Sequence, residues 1–472
     1  MVEVNLVHIL TACLFIGAAI GYSIYSARNV KTATGFSLQG RQSSTIRVAG
    51  GIVAIIIGGG ATIGTAQMAY QFGLVAWSFT LGMGIGLAVL GLFYASKLRR
   101  TGLETVPEFI GLHYGKHAAP VISFFGCCSI LSANVAGLIA GIAILSGMFS
   151  ISPGLAALIL AVPTLLTVFF SGQTGSSAVG LIKMAIVWLS LIVCSILAIR
   201  GLFQIDDFAT AFPFEPWFDL FSIGVNQGVG NIISAVIGIC CAQSYIQAIF
   251  SAKDEKVSAR GTVLAGLMVI PVGLPIVAIG MFMHYHHPDI VPVMALPAFF
   301  FTYLPDWFGG LAIAGVLLAI IGSTAGMSLN VSTMVTRDFV ANVFKVDNDR
   351  TLLRSSRITI VLFVALEMFV AFNYHDSTVL YWNFFGLLLR SGGVFIPLTL
   401  ALVKPGWLSP AWSLASMLIS TLAVIIGKLV FDVQFHPLAL ALSISGAIVI
   451  IGIAVSGKKY HEEWLARMGK LA

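Results

Sequence analysis

Residues 176–199, SSAVGLIKMAIVWLSLIVCSILAI, form an apolar run interrupted by one ionisable side chain, Lys183, with no acid near it in sequence. An ammonium group at such depth needs oxygen ligands or a route back to water, so by default it marks a functional position. Two more charges lie in similar settings, Arg390 in FFGLLLRSGGVFIP and Glu367 in LFVALEMFVAF. The arginine could grip a carboxylate bidentately, or it could pair with Glu367 on the preceding apolar stretch. Ser323 and Thr324 are adjacent hydroxyls that could ligate a cation or bond back to their own helix. Covalent and metal chemistry find little to work with. Most of the nine histidines fall in loops or near helix ends, including HYHH at 284–287. Cys13, Cys127, Cys128, Cys194, Cys240 and Cys241 all fall in apolar helices, and the adjacent pairs point to different helix faces, as packing residues do. An enzyme would call for clustered His, Asp or Glu at membrane depth, so the expectation is a protein that is not an enzyme.

The surrounding elements must be membrane helices. Of 472 residues, 58% are apolar and 9% charged, with mean hydropathy +0.98, whereas soluble domains carry roughly 25% charged residues. A hydrocarbon core of ~30 Å needs ~20 apolar residues per helix. Runs of that kind predict thirteen spans: 4–26, 45–73, 74–98, 119–148, 153–171, 176–200, 221–249, 260–284, 307–334, 352–372, 378–403, 409–432 and 435–456. The first lacks a positive leading segment and a small-residue cleavage site, so it is expected to be a true helix. Lys and Arg concentrate on one side, from Arg28 and Lys97 through Arg260, Arg337 and Arg357 to the tail, whereas Asp206, Asp207, Glu215 and Asp219 fall on the other. That asymmetry predicts an integral protein of the plasma (inner) membrane, its N-terminus outside and its C-terminus cytoplasmic. The net charge of +6 then reflects topology and attraction to anionic membrane lipid, with no signal for nucleic acid.

Two glycine-rich stretches, GGGATIGT at 58–65 and GVNQGVGN at 224–231, are expected places for backbone to unwind, since each glycine costs a helix ~1 kcal/mol. Five spans separate their starting points. Interrupted helices at matching places of two halves point to a transporter's midplane site, although small residues also serve plain helix packing.

Four ordered segments, GFSLQGR (35–41), GLETVPEFIGLHYG (102–115), QSYIQAIFSAKDEKVSARG (243–261) and STAGMSLNVSTMVTRDF (323–339), resemble the signatures of the sodium/solute symporter family over about residues 34–403. The resemblance implies an all-α, leucine-transporter-type fold: two inverted five-helix repeats, about 45–200 and 221–403, with one extra helix before them (4–26) and two after (409–432, 435–456). It also implies a cation held between carbonyls of the first core helix, here Ala54 and Ile57, and the Ser323/Thr324 pair beside the Ile320 carbonyl. One position departs from the pattern. The fifth core helix of the family usually carries an acid near the cation site, and TGSSAVGLIK places Lys183 there. Two unit charges ~5 Å apart at an effective dielectric of ~20 repel by ~3 kcal/mol, enough to weaken sodium binding ~100-fold. Three arrangements follow. The ammonium itself fills the cation site and couples transport to protons; sodium binds with Lys183 turned away or neutral; or the lysine snorkels toward the cytoplasmic interface.

For the solute, the broken helix offers Ala61, Thr62 and Thr65, the third core helix Ser132 and Asn134, and the tenth Trp382, Asn383 and Arg390. So few polar groups suit a small, partly apolar organic acid or amino acid better than a sugar. The reading is a cation-coupled symporter working by alternating access, with Na⁺ or H⁺ as coupling ion, no other cofactor and no obligate protein partner. The alternatives are a sensor built on a transporter fold and an uncoupled facilitator; a channel would show filter loops or charge rings.

Overall fold

The computed structural model describes residues 4–26, 41–115, 117–169, 172–341, 344–429 and 436–468, of which the side chains of 172–179, 181–182, 428–429 and 466–468 are not described. The GFSLQG part of the first motif therefore lies outside the described residues. Those residues are helical nearly throughout: α1 (Leu6–Ser26), α2 (Thr45–Ile56), α3 (Thr65–Phe72), α4 (Ser78–Val89), α5 (Ser96–Arg100), α6 (Val106–Tyr114), α7 (Ala118–Phe149), α8 (Pro153–Phe169), α9 (Gly172–Leu202), α10 (Val225–Cys240), α11 (Gln243–Phe250), α12 (Glu255–Val269), α13 (Gly273–His286), α14 (Ala295–Tyr303), α15 (Asp306–Met334), α16 (Asp349–Asn373), α17 (Val379–Val403), α18 (Pro410–Leu429), α19 (Pro437–Gly452) and α20 (Lys458–Met468). Eleven helical stretches among the described residues are long and apolar enough to cross a membrane; Thr45–Ile56 and Pro153–Phe169 are apolar but shorter. The expected count of thirteen is therefore not reached by length and apolarity alone, chiefly because the helix expected over 45–73 is interrupted.

The centre of the bundle is α15. Every residue from Phe308 to Met334 is buried, as a helix apolar on all sides must be. It packs against α1, α7, α8, α9 and α16, and it carries Ser323 and Thr324 into the middle of the protein.

The first glycine stretch breaks its helix as expected. α2 ends at Ile56, and the chain continues through a π-helical turn, Gly60–Gly64, into α3. The second stretch does not. GVNQGVGN opens α10 without interruption, and the break falls later, at Cys241–Ala242, with Ala242 extended (φ −84°, ψ 111°) before α11 begins. The glycines of the second stretch serve close packing instead. A Cβ at Gly228 would press on Phe221, and one at Gly230 would collide with the His436 ring.

The family motifs converge on one polar knot at an end of the bundle. Thr105 caps α6 by accepting from the Glu108 N–H (3.0 Å), and the Glu108 carboxylate accepts from the Glu104 N–H (2.9 Å), a variant of the capping box written by T-x-x-E. The Glu104 carboxylate receives two hydrogen bonds from Arg337, both 3.0 Å. Next to it, buried Asp338 accepts from Thr105 Oγ1 (3.0 Å) and Ser123 Oγ (2.5 Å). Gln243, the first residue of α11, closes the knot: its Oε1 accepts from the Val106 N–H (2.8 Å) and its Nε2 donates to the Glu104 carbonyl (3.2 Å). PEF, QSYIQ and TRDF thus fasten the second half of one broken helix to the end of α15.

Helices α4 and α12 approach so closely that a Cβ on Gly266 would stand 2.6 Å from the Gly84 carbonyl oxygen, whereas Gly17 on α1 has open space. Gly266→Ala is expected to lower stability by about 1–3 kcal/mol through overpacking, and Gly17→Ala to leave it unchanged or raise it. Thermal unfolding of the purified variants in one detergent checks the pair.

Candidate functional site

Where α2 ends, the Gly58 N–H turns to the Ile56 carbonyl (2.9 Å) and so deprives the Ala54 carbonyl of its helical donor. At membrane depth such an oxygen must find another partner. The three glycines that follow each face a different helix. A Cβ on Gly58 would collide with Ser323 Oγ of α15, on Gly59 would come within 2.8 Å of Gly137 Cα of α7, and on Gly60 would collide with the Asn383 amide of α17. Close approach on three sides, and not an unusual φ, explains the triplet.

On α15 the Ala319 carbonyl is the meeting point. It accepts from Ser323 Oγ (2.7 Å) and from Lys183 Nζ of α9 (3.1 Å); Ser323 Oγ also reaches the Ile320 carbonyl (3.2 Å). Lys183 is 1% exposed, so its side chain is turned into the protein and not toward an interface. Among the described residues no carboxylate lies within ion-pair distance of it. Neighbouring Gly180 packs on Ala54, whose methyl a Cβ there would strike at 2.6 Å. The lysine therefore reaches α15 one turn before Ser323, from a helix that also packs against the broken one.

Beside this cluster is a cavity of about 30 Å³. Ser323, Thr324, Asn134, Asn383, Arg390 and Tyr245 give it a polar side; Ile55, Ile56, Phe79, Met83, Met327 and Leu387 give it an apolar one. The buried Arg390 guanidinium lies over the Tyr245 ring, 5.8 Å from its centroid, and its Nε has no partner. Glu367 is not its counter-ion. That carboxylate accepts from Asn134 Nδ2 (2.7 Å); Ser328 Oγ, whose one proton serves the Thr324 carbonyl (2.7 Å), lies 3.3 and 3.4 Å from its oxygens.

Among the residues singled out from sequence, Ser323, Thr324, Asn134, Asn383 and Arg390 line this one cavity. Ala54, Ile57 and Ile320 are buried next to it without lining it. Ala61, Thr62 and Thr65 are buried in the turn and α3, and both hydroxyls bond back, Thr62 Oγ1 to the Gly58 carbonyl (2.8 Å) and Thr65 Oγ1 to the Gly60 carbonyl (3.5 Å). Ser132 Oγ ties α7 to α17 through the Trp382 carbonyl (2.6 Å), and the Trp382 indole donates to Ser377 Oγ (2.8 Å). Sequence reasoning passed over Tyr245, although QSYIQ contains it, and the apolar walls Phe79, Met83 and Met327, which carry no signal distinct from core packing.

These features define a helical membrane protein with a broken-helix site at its centre. The sodium:solute symporter family profile matches residues 36–402, and the chain belongs to that family. Sodium/glucose cotransporter 1 of Oryctolagus cuniculus is 21% identical over 399 residues, covering 74% of this chain. The chain spans about 60% of that relative's length. In fold it is similar to a Na⁺-coupled sialic acid symporter in a substrate-bound outward-open state, with TM-score 0.83, 14% identity and coverage of 97% of this chain and 98% of the other. It is also similar to a nucleobase-cation-symport-1 family transporter in a closed conformation, with TM-score 0.63, 14% identity and coverage of 92% and 95%.

The Asn134–Glu367–Ser328 network predicts a simple contrast. Glu367→Ala leaves the buried Asn134 amide without its shortest bond and is expected to cost about 1–3 kcal/mol, whereas Glu367→Gln keeps an acceptor there and costs less. Unfolding midpoints of the two purified variants test this.

Proposed function

We propose that the protein moves a small organic anion or amino acid together with a cation by alternating access, and that its own Lys183 ammonium occupies the place a bound sodium ion takes in relatives. The observation that carries the reading is the Lys183 Nζ bond to the Ala319 carbonyl, shared with Ser323 Oγ. An ammonium so placed uses the ligand type a sodium ion needs, and its charge repels any second cation nearby. Loss and return of its proton during the cycle would make H⁺ the coupling ion. The ligand set is Ser323, Thr324 and the carbonyls of Ala54, Ile57 and Ile320. On the solute side, Arg390 has an unpartnered Nε and lines the cavity with Asn134 and Asn383; its fork suits a carboxylate, and the apolar wall opposite suits a short hydrocarbon body.

The architecture that goes with this reading is two inverted five-helix repeats, 45–200 and 221–403, each opening with a broken helix, within thirteen spans. The basic loops place the C-terminus in the cytoplasm of a cell whose plasma membrane holds the protein.

Proteoliposomes with an imposed proton or sodium gradient are the test, after a thermal-shift screen has found a solute. Uptake is expected to follow the inward proton gradient with no sodium requirement, and Lys183→Ala is expected to abolish proton coupling while exchange of internal for external solute persists. Uptake driven by sodium alone, with Lys183→Ala behaving as wild type, would overturn the lysine reading. Arg390→Ala is expected to weaken binding of a carboxylate solute at least 10-fold, consistent with loss of a charge-assisted pair. Unchanged affinity would remove Arg390 from the solute site.

A further inference from the structure

The first turns of α16 carry three arginines, Arg350, Arg354 and Arg357, spaced i, i+4 and i+7, so they fall within an arc of about 60° on one helix face. They border a groove between α16 and the end of α8, with room for about 560 Å³ and lined otherwise by apolar side chains. Like charges in a row on one helix repel one another and call for counter-charge. Among the described residues none of the three makes an ion pair, although Asp347 and Asp349 precede them in the chain. Arg350 and Arg354 are exposed. Arg357 lies over the Phe169 ring at 5.4 Å, with its Nε buried and without a partner.

The other half of the groove has the opposite character. Ile358, Val361 and Leu362 form its wall and are 51%, 41% and 66% exposed. The same face continues up α16 through Leu366 and Phe369, also exposed, as a stripe that faces hydrocarbon in a spanning helix. A cationic mouth at the end of an apolar stripe matches one kind of ligand: a phosphate-bearing headgroup on long acyl chains. A soluble anion would leave the stripe uncovered, and an uncharged lipid would leave the guanidiniums without a counter-ion.

We propose that this groove is a binding site for an anionic glycerophospholipid, whose phosphate sits among Arg350, Arg354 and Arg357 and whose acyl chains lie along Ile358, Val361, Leu362 and Phe369. The site is independent of the transport reading. Basic pockets between helices take anionic headgroups in this way, with each cationic side chain contributing roughly fivefold in affinity.

The test uses the full chain in phosphatidylcholine nanodiscs, titrated with phosphatidylglycerol and followed by native mass spectrometry. Wild type is expected to retain one tightly held phosphatidylglycerol that phosphatidylcholine does not displace. The triple variant R350Q/R354Q/R357Q is expected to bind it roughly 100-fold more weakly, while Arg260→Gln, an exposed arginine on α12, binds as wild type. Thermal unfolding in detergent reports whether the triple variant folds, and Arg354→Gln alone, expected to lose roughly fivefold, serves if it does not. Equal retention of phosphatidylcholine by wild type would overturn the proposal, as would full affinity in the triple variant. So would displacement of the lipid by millimolar inorganic phosphate, which would make this a site for the free anion.

Discussion

A full positive charge enclosed by protein at the level of a bilayer is tolerable only if oxygen atoms replace the water it gave up. Lys183 meets that demand in a particular way. Its partner is a helix carbonyl, Ala319, and not a carboxylate, so the ammonium is solvated but not neutralised. An ion pair would have fixed the charge permanently. Here the carbonyl that receives the lysine is shared with the Ser323 hydroxyl, so the lysine is tied to α15 by hydrogen bonding alone.

The rest of the core exists to bring these groups together. α15 is apolar on every side and is therefore surrounded, which puts its few hydroxyls where no water reaches. The Gly58–Gly60 triplet lets a broken backbone touch α15, α7 and α17 at successive residues. The knot of Glu104, Arg337, Asp338 and Gln243 then fixes α11 at its start, two residues before Tyr245, on whose ring Arg390 rests. A chain of local bonds thus runs from the most recognisable sequence motifs to the cavity wall without any motif residue of the knot entering the cavity.

Much of this was legible in the sequence, and the reasons differ from residue to residue. Lys183, Arg390 and Glu367 stood out because charge in an apolar run is rare enough to carry information by itself. The first break was legible because three glycines in succession weaken a helix, whatever contacts they also allow. The second was not. Glycine at 228 and 230 serves contact with Phe221 and His436, and propensity cannot distinguish a glycine that lets a helix open from one that lets a neighbour in. Thr62, Thr65 and Ser132 looked like solute ligands because hydroxyls near a break could face a cavity; each instead bonds to a carbonyl within reach, a local choice that spacing does not reveal. The cavity's apolar wall was illegible for a plainer reason, since Phe79 and Met83 differ from core residues only in what lies opposite them.

The two breaks also differ in what they bring to the site. At Cys241–Ala242 the N–H groups of both residues turn to the Ile239 carbonyl, which takes the helical donors of Ile237 and Gly238 away, while the Ala242 carbonyl accepts from the N–H groups of Tyr245 and Ile246. That break also brings a side chain, Tyr245, to the cavity wall. At Ile57–Gly59 the turn of the Gly58 N–H toward Ile56 frees a carbonyl, that of Ala54, on the side where α9 and Lys183 pack. The first break thus packs against the helix that carries Lys183, the second brings an aromatic side chain to the cavity, and α15 supplies hydroxyls to the wall between them. Ser323 stands at both places, sharing the Ala319 carbonyl with Lys183 and lining the cavity beside Thr324, so one turn of a single buried helix joins the lysine to the cavity.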